Sequence, residues 1–135
     1  VLCMNARLFD ELALTLPKWG TQQGTQDGQS RLKIITPTHP LAAGLSGNIN
    51  AVTNSAAAFS WGKPAPSAVV AATLVDATDK AASFGYESGT VMVGKQKAVA
   101  RRTGLFATEQ AIAAFDETTK GWRLFDAAVL WTANR

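Results

Sequence analysis

Near the end of the chain Trp122, Phe125, Val129 and Thr132 recur at i, i+3, i+7 and i+10, and Leu124, Ala128 and Trp131 widen that face. This spacing defines an amphipathic helix over about residues 121–133, with Thr118 or Thr119 placed to cap it. A stripe this broad needs a flat apolar surface to pack on, and a β-sheet supplies one.

The start of the chain reads as part of that sheet. Val1, Leu2, Cys3 and Met4 form a continuous apolar run, as in a buried parallel strand. Asn5 can cap a following helix over about 6–14, with Leu8, Leu12 and Phe9 toward the sheet and Pro17 as its stop. Residues 17–30 (PKWGTQQGTQDGQS) read as a loop by composition. The spacing of Gly20, Gly24 and Gly28 makes no phosphate cradle, because no strand precedes it and no helix follows. Further strands are expected over 31–36, 48–53, 57–61, 68–75 and 82–86, with a helical turn over 41–45 and a proline-rich turn at 62–67 (GKPAPS). Residues 54–89 would then form an antiparallel meander or an edge extension. A strand over 98–106 leads into a helix that Thr108 can cap, running to Phe115. Strands followed by helices at both ends imply parallel pairing with right-handed crossovers. The expectation is one α/β domain over 1–135 with an antiparallel extension.

Several function classes are disfavoured. Apolar residues make up 47% and charged residues 17%, so the chain can bury a core and is not a disordered segment. The net charge is +3, and the basic residues are scattered apart from Lys95, Lys97, Arg101 and Arg102, so no nucleic-acid partner is expected. No run of about 18 apolar residues occurs, so no membrane span is expected. The single cysteine cannot form an internal disulfide or build a zinc site, and the lone His39 with scattered acids shows no ligand spacing. No metal or cofactor is expected. The chain begins inside what reads as a strand, as a piece of a longer chain would.

Three stretches together resemble a known group. They are 1–14 (VLCMNARLFDELAL), 38–45 (THPLAAGL), and 100–106 (ARRTGLF) followed by 121–131 (GWRLFDAAVLW). Their order and spacing resemble the class I glutamine-amidotransferase-like superfamily, and within it the trehalose-utilisation-type domains of bacterial multidomain proteins. The resemblance implies a flavodoxin-like parallel sheet flanked by helices, lacking its first strand-helix unit. It also implies an exposed sheet edge that a second copy of the chain could cover as a homodimer. Catalytic members carry a nucleophilic cysteine at the turn after the strand that Val1–Met4 resembles. Here that turn holds Asn5 and Ala6, and Cys3 lies within the strand, so the resemblance does not carry the amidotransferase chemistry over.

The remaining candidates carry two readings each. His39 titrates near neutrality and could act as a base with a carboxylate such as Glu87, or order its turn through a backbone hydrogen bond. Trp19 and Trp61 lie beside glycine and proline in loops, where their rings could stack on a sugar or anchor the loop. Tyr86 could line a pocket with Glu87 or close a hairpin. Arg101 and Arg102 point to opposite sides of a strand, so one could bind an anion or pair with a carboxylate. The leading expectation is a non-catalytic binding or assembly module of a bacterial protein, carbohydrate-binding through Trp19, Trp61, Tyr86 or Arg101. A secreted or cell-surface setting is favoured over the cytoplasm. The alternatives are a small hydrolase or isomerase on a sugar-like substrate, using His39 and Glu87, and a purely structural oligomerisation domain.

Overall fold

The computed structural model describes residues 1–53 and 56–134. Among them one mixed sheet is built from β1 (Leu2–Cys3), β2 (Gln23–Gln29), β3 (Arg31–Ile34), β4 (Gly47–Asn50), β5 (Ala57–Gly62), β6 (Val69–Leu74), β7 (Ala81–Tyr86) and β8 (Arg102–Leu105). Two α-helices follow, α1 (Glu109–Ala113) and α2 (Gly121–Ala133). The strand order is β1-β8-β7-β6-β3-β4, with β5 branching from β7 and β2 pairing with β5.

Among the described residues β1 and β8 are the parallel strand pair, and the other pairs are antiparallel. This overturns the expected flavodoxin-like parallel sheet flanked by helices. The physical reason lies in the connections. A parallel pair needs a crossover of a dozen residues or more, usually a helix, whereas antiparallel neighbours need only a short turn. β6 and β7 are joined by residues 75–80 alone. The intended first crossover helix over 6–14 does not form. Only Ala6–Leu8 makes a 3-10 turn, and Ala13 adopts a left-handed φ of 60°. Phe9 and Leu14 are fully buried while Leu8 is 46% exposed, which is not a helical face. Tertiary packing of those two side chains overrides local helix propensity.

The 17–30 stretch departs in the other direction. Much of it is β2, a polar strand exposed along most of its length. It pairs with β5 from Gln23–Gly62 to Gln29–Ala57. Backbone pairing, not side-chain character, makes it a strand. Gly24 matters here: a Cβ at that position would stand 2.9 Å from the Trp61 ring, which packs against the bare backbone. The 57–61, 68–75 and 82–86 strands appear close to their expected places. The 98–106 strand shortens to β8. The first residues of the expected 54–89 meander lie outside the described residues.

Two apolar clusters line the two faces of the sheet. Leu32, Leu41, Phe59, Leu105, Phe106, Leu124 and Trp131 belong to one. Cys3, Phe9, Leu14, Phe84 and Tyr86 belong to the other. Phe84 and Gly85 of β7 turn to opposite clusters, as do Gly104 and Leu105 of β8, as strand alternation requires. A Cβ on Gly85 would meet Trp131, and one on Gly104 would meet Phe84.

Helix α2 forms where its periodicity predicts, but on a shifted face. Gly121, Leu124, Ala128 and Trp131 are buried, whereas Trp122 is 47% and Val129 42% exposed. Anchors outside the helix choose the face. Gly121 N–H donates to Ala51 O at 3.0 Å, Arg123 Nη2 to Ala43 O at 2.7 Å, and the Thr132 and Thr103 hydroxyls meet at 2.6 Å. Thr118 and Thr119 do not cap α2; both bond to Asp116 in the preceding turn. Thr108 does cap α1, accepting from Ala111 N–H at 3.1 Å.

Candidate functional site

A cleft of about 600 Å³ with mainly apolar walls opens where β1 ends. Met4, Asn5, Ala6 and Arg7 form one side as the chain leaves β1 and enters the 3-10 turn, and Trp19 stands on the rim. Thr25 of β2, Ser60 of β5, and Thr108, Glu109 and Ile112 at the start of α1 complete it. Local hydrogen bonds hold each wall. Asn5 Oδ1 accepts from Arg7 N–H at 3.0 Å, which caps the turn. Ser60 Oγ donates to Met4 O at 3.0 Å and ties β1 to β5. Gln110 Oε1 accepts from Ala58 N–H at 2.7 Å, and Thr108 Oγ1 donates to Ala58 O at 2.5 Å, so α1 is pinned on β5.

Trp19 is 45% exposed, with the Arg7 guanidinium 4.2 Å from its ring centre. That cation–π contact orients both side chains on the rim. Gly20 follows with φ 81°, and its N–H donates to Gln23 O at 2.6 Å, turning the chain back into β2.

The other sequence candidates lie elsewhere. Trp61 is 2% exposed beneath β2, with Lys80 Nζ 4.6 Å over its ring. Tyr86 is wholly buried; its hydroxyl donates to Leu14 O and accepts from Ala65 N–H, both at 2.8 Å. Neither ring offers a face to a ligand. Arg101 sits at the carboxyl end of α2, where Nη1 donates to Trp131 O at 2.9 Å and Asn134 O at 3.1 Å. It also pairs with Glu87 and lies 4.5 Å over the Trp131 ring. A cation there meets the negative end of the helix dipole.

His39, Glu87 and Arg101 gather around Trp131, so the structure does bring the two catalytic candidates into one neighbourhood. Their chemistry is already committed. His39 Nδ1 accepts from Leu41 N–H at 3.1 Å and caps the Pro40–Ala42 turn, and Glu87 is held by Arg101. Burial pulls the imidazole below its ordinary value, with Glu87 pushing it up and Arg101 pulling it down. The unfolded chain therefore binds this proton more tightly than the folded one, and stability falls as pH drops through the ordinary value near 6.5. His39→Asn, which can keep an acceptor for Leu41 N–H, is expected to remove that part of the pH dependence in urea unfolding. His39→Ala should cost about 1 kcal/mol as a lost cap.

Cys3 is buried, its thiol donating to Asn5 O at 3.3 Å, and burial pushes its pKa up. A nucleophilic thiol needs the opposite shift. Among the described residues no three His, Cys, Asp or Glu side chains gather as a metal site, and no helix is long and apolar enough to cross a membrane. Arg7, Thr25 and Glu109 were not singled out in the sequence. The one local signal was Asn5 at the end of an apolar strand; the others reach the cleft only through long-range pairing.

Fold and cleft together define a sheet-dominated mixed domain with an open cleft that has Trp19 on its rim. No family model matches the chain, and no curated protein and no solved structure matches it.

Proposed function

We propose that this chain is a non-catalytic binding or assembly module, and that the Trp19 cleft takes a carbohydrate. The half-exposed Trp19 ring beside mainly apolar walls carries this reading. A sugar presents C–H groups on one side and hydroxyls around its edge. An aromatic face takes the first, and charged or hydroxyl side chains such as Arg7, Thr25 and Glu109 take the second. Arg7 stacks on the indole, and the ring remains half exposed. Its stacking orients the ring before a ligand arrives, so less rotamer freedom is lost on binding. Binding is favoured over catalysis because the Cys3 thiol and the His39 lone pair are both engaged with backbone groups.

Thermal unfolding against mono-, oligo- and polysaccharides, with simple anions as controls, tests the sugar reading. A ligand at 100 times its dissociation constant adds about 2.7 kcal/mol, on the order of several degrees in Tm for a domain of this size. Trp19→Ala should lose that shift while its own Tm stays close to that of the parent. No shift with any sugar, or a shift that Trp19→Ala retains, overturns the reading.

A further inference from the structure

Thr15 and Gln23 close the base of the loop that carries Trp19. Both are buried, at 1% and 4% exposure, and Gln23 is the only buried carboxamide among the described residues. The Thr15 hydroxyl donates to Gln23 Oε1, and Gln23 Nε2 donates to Asp10 Oδ1 at 2.8 Å. A hydroxyl, an amide and a carboxyl thus stand in one line, with Asp10 at its partly exposed end.

The backbone on each side of this line is held. Leu14 O, one residue before Thr15, accepts from the Tyr86 hydroxyl at 2.8 Å. Gln23 pairs with Gly62 at the start of β2, and its carbonyl accepts from Gly20 N–H at 2.6 Å. The Thr15 methyl lies over the bare backbone of Gly62, where an added Cβ would stand 2.8 Å from it. A β-branched side chain is stiff at χ1, so a threonine seated by its methyl keeps its hydroxyl on the glutamine. Oε1 is bonded to Cδ, so the Thr15 oxygen rests beside an electrophilic carbon. Holding two reacting groups in this way replaces a chance encounter with an intramolecular step.

We infer that Thr15 and Gln23 join as an intramolecular ester. Thr15 Oγ1 forms a bond to Gln23 Cδ while its proton passes to Oε1 along the hydrogen bond already present. Asp10, in contact with Nε2, relays that proton through water from the oxygen to the departing nitrogen. The Cδ–Nε2 bond breaks, the carbonyl re-forms and Asp10 ends as it began. One alcohol and one amide become one ester and one ammonia, with no change of oxidation state. Ammonia is protonated at neutral pH and lost to water, which draws the exchange forward. Burial of both partners then keeps water from the ester. The step happens once, within the chain itself, so it sits with a module that turns over no substrate and does not rest on the sugar reading. The bond holds the Trp19 loop closed in the unfolded chain as well as the folded one.

Mass spectrometry of the purified, folded chain is the test. The expected mass is that of the sequence less one ammonia. Trypsin cuts after Lys18, between the two partners. Residues 8–18 and 19–31 should therefore emerge as one joined species, which hydroxylamine separates by cleaving the ester. Thr15→Val keeps the buried shape without the hydroxyl, and should show the full mass with the two peptides apart. Asp10→Asn keeps both reacting groups and should slow the loss of ammonia about a hundredfold or more, the scale of a lost proton transfer. A parent chain of full mass after prolonged incubation overturns the inference. So does an ammonia loss that leaves the two peptides separate, or a joined species that persists in Thr15→Val.

Discussion

Phe84→Ala is expected to lower the stability of this domain by about 3–5 kcal/mol, the cost of emptying a large buried aromatic site. For a chain of this length that is a fall in Tm of roughly 10–20 °C. Phe84 is fully buried and meets Phe9 edge-on at 5.5 Å between centroids. Its ring occupies space that two glycines leave open. A Cβ on Gly104 would fall 2.4 Å from the Phe84 ring tip, and one on Gly62 would fall 3.1 Å from it. Both glycines lie on strands, so the surrounding backbone is held by ladder bonds and cannot readily collapse into the void. A double-mutant cycle checks the assignment. Gly104→Ala alone should destabilise strongly, because the added methyl overlaps the ring. In a Phe84→Leu background the same methyl has room, so the combined cost should fall well short of the sum. Additive costs in urea unfolding would show that ring and glycine do not share the space.

Tyr86→Phe is the second large effect, at about 1–3 kcal/mol for removing one oxygen. Its hydroxyl satisfies two backbone groups at once, the buried carbonyl of Leu14 and the part-buried N–H of Ala65. Each buried group left without a partner costs about 1–3 kcal/mol. The contact joins β7 to the irregular 6–14 segment and to the proline-rich turn, and so fastens the cover over the second core cluster. Burial raises the phenol's pKa, against the lowering effect of the Ala65 bond. The midpoint in urea should fall with little change in slope. A Tyr86→Phe chain as stable as the parent would place the phenol in contact with water instead.

What was legible in the sequence follows from what is local. The helix at 121–133 forms because its apolar residues repeat at a helical period. The Thr108 cap and the 40–42 turn form because their side chains reach backbone atoms only a few residues away. Cys3 likewise lies inside the first strand, as its apolar run indicates, and is buried there.

What only the tertiary structure decided involves partners far apart along the chain. Trp19 and Trp61 look alike in sequence, each beside a glycine. Trp61 lies under β2 because Gly24 lets the strand settle on its ring, and Trp19 stays at the surface on Arg7. Arg101 and Tyr86 read as ligand contacts, but distant carbonyls claim them as structural fasteners. The period of α2 was readable, yet its buried face was set by Ala51, Ala43 and Thr103. Strand direction followed the same logic. The sequence determined where the last helix and the apolar strands form, since period and capping act within a few residues, while the polar strand β2 forms only through its pairing with β5. The tertiary structure decided their pairing and their exposed rings, because those depend on which distant backbone and side chain complete each burial.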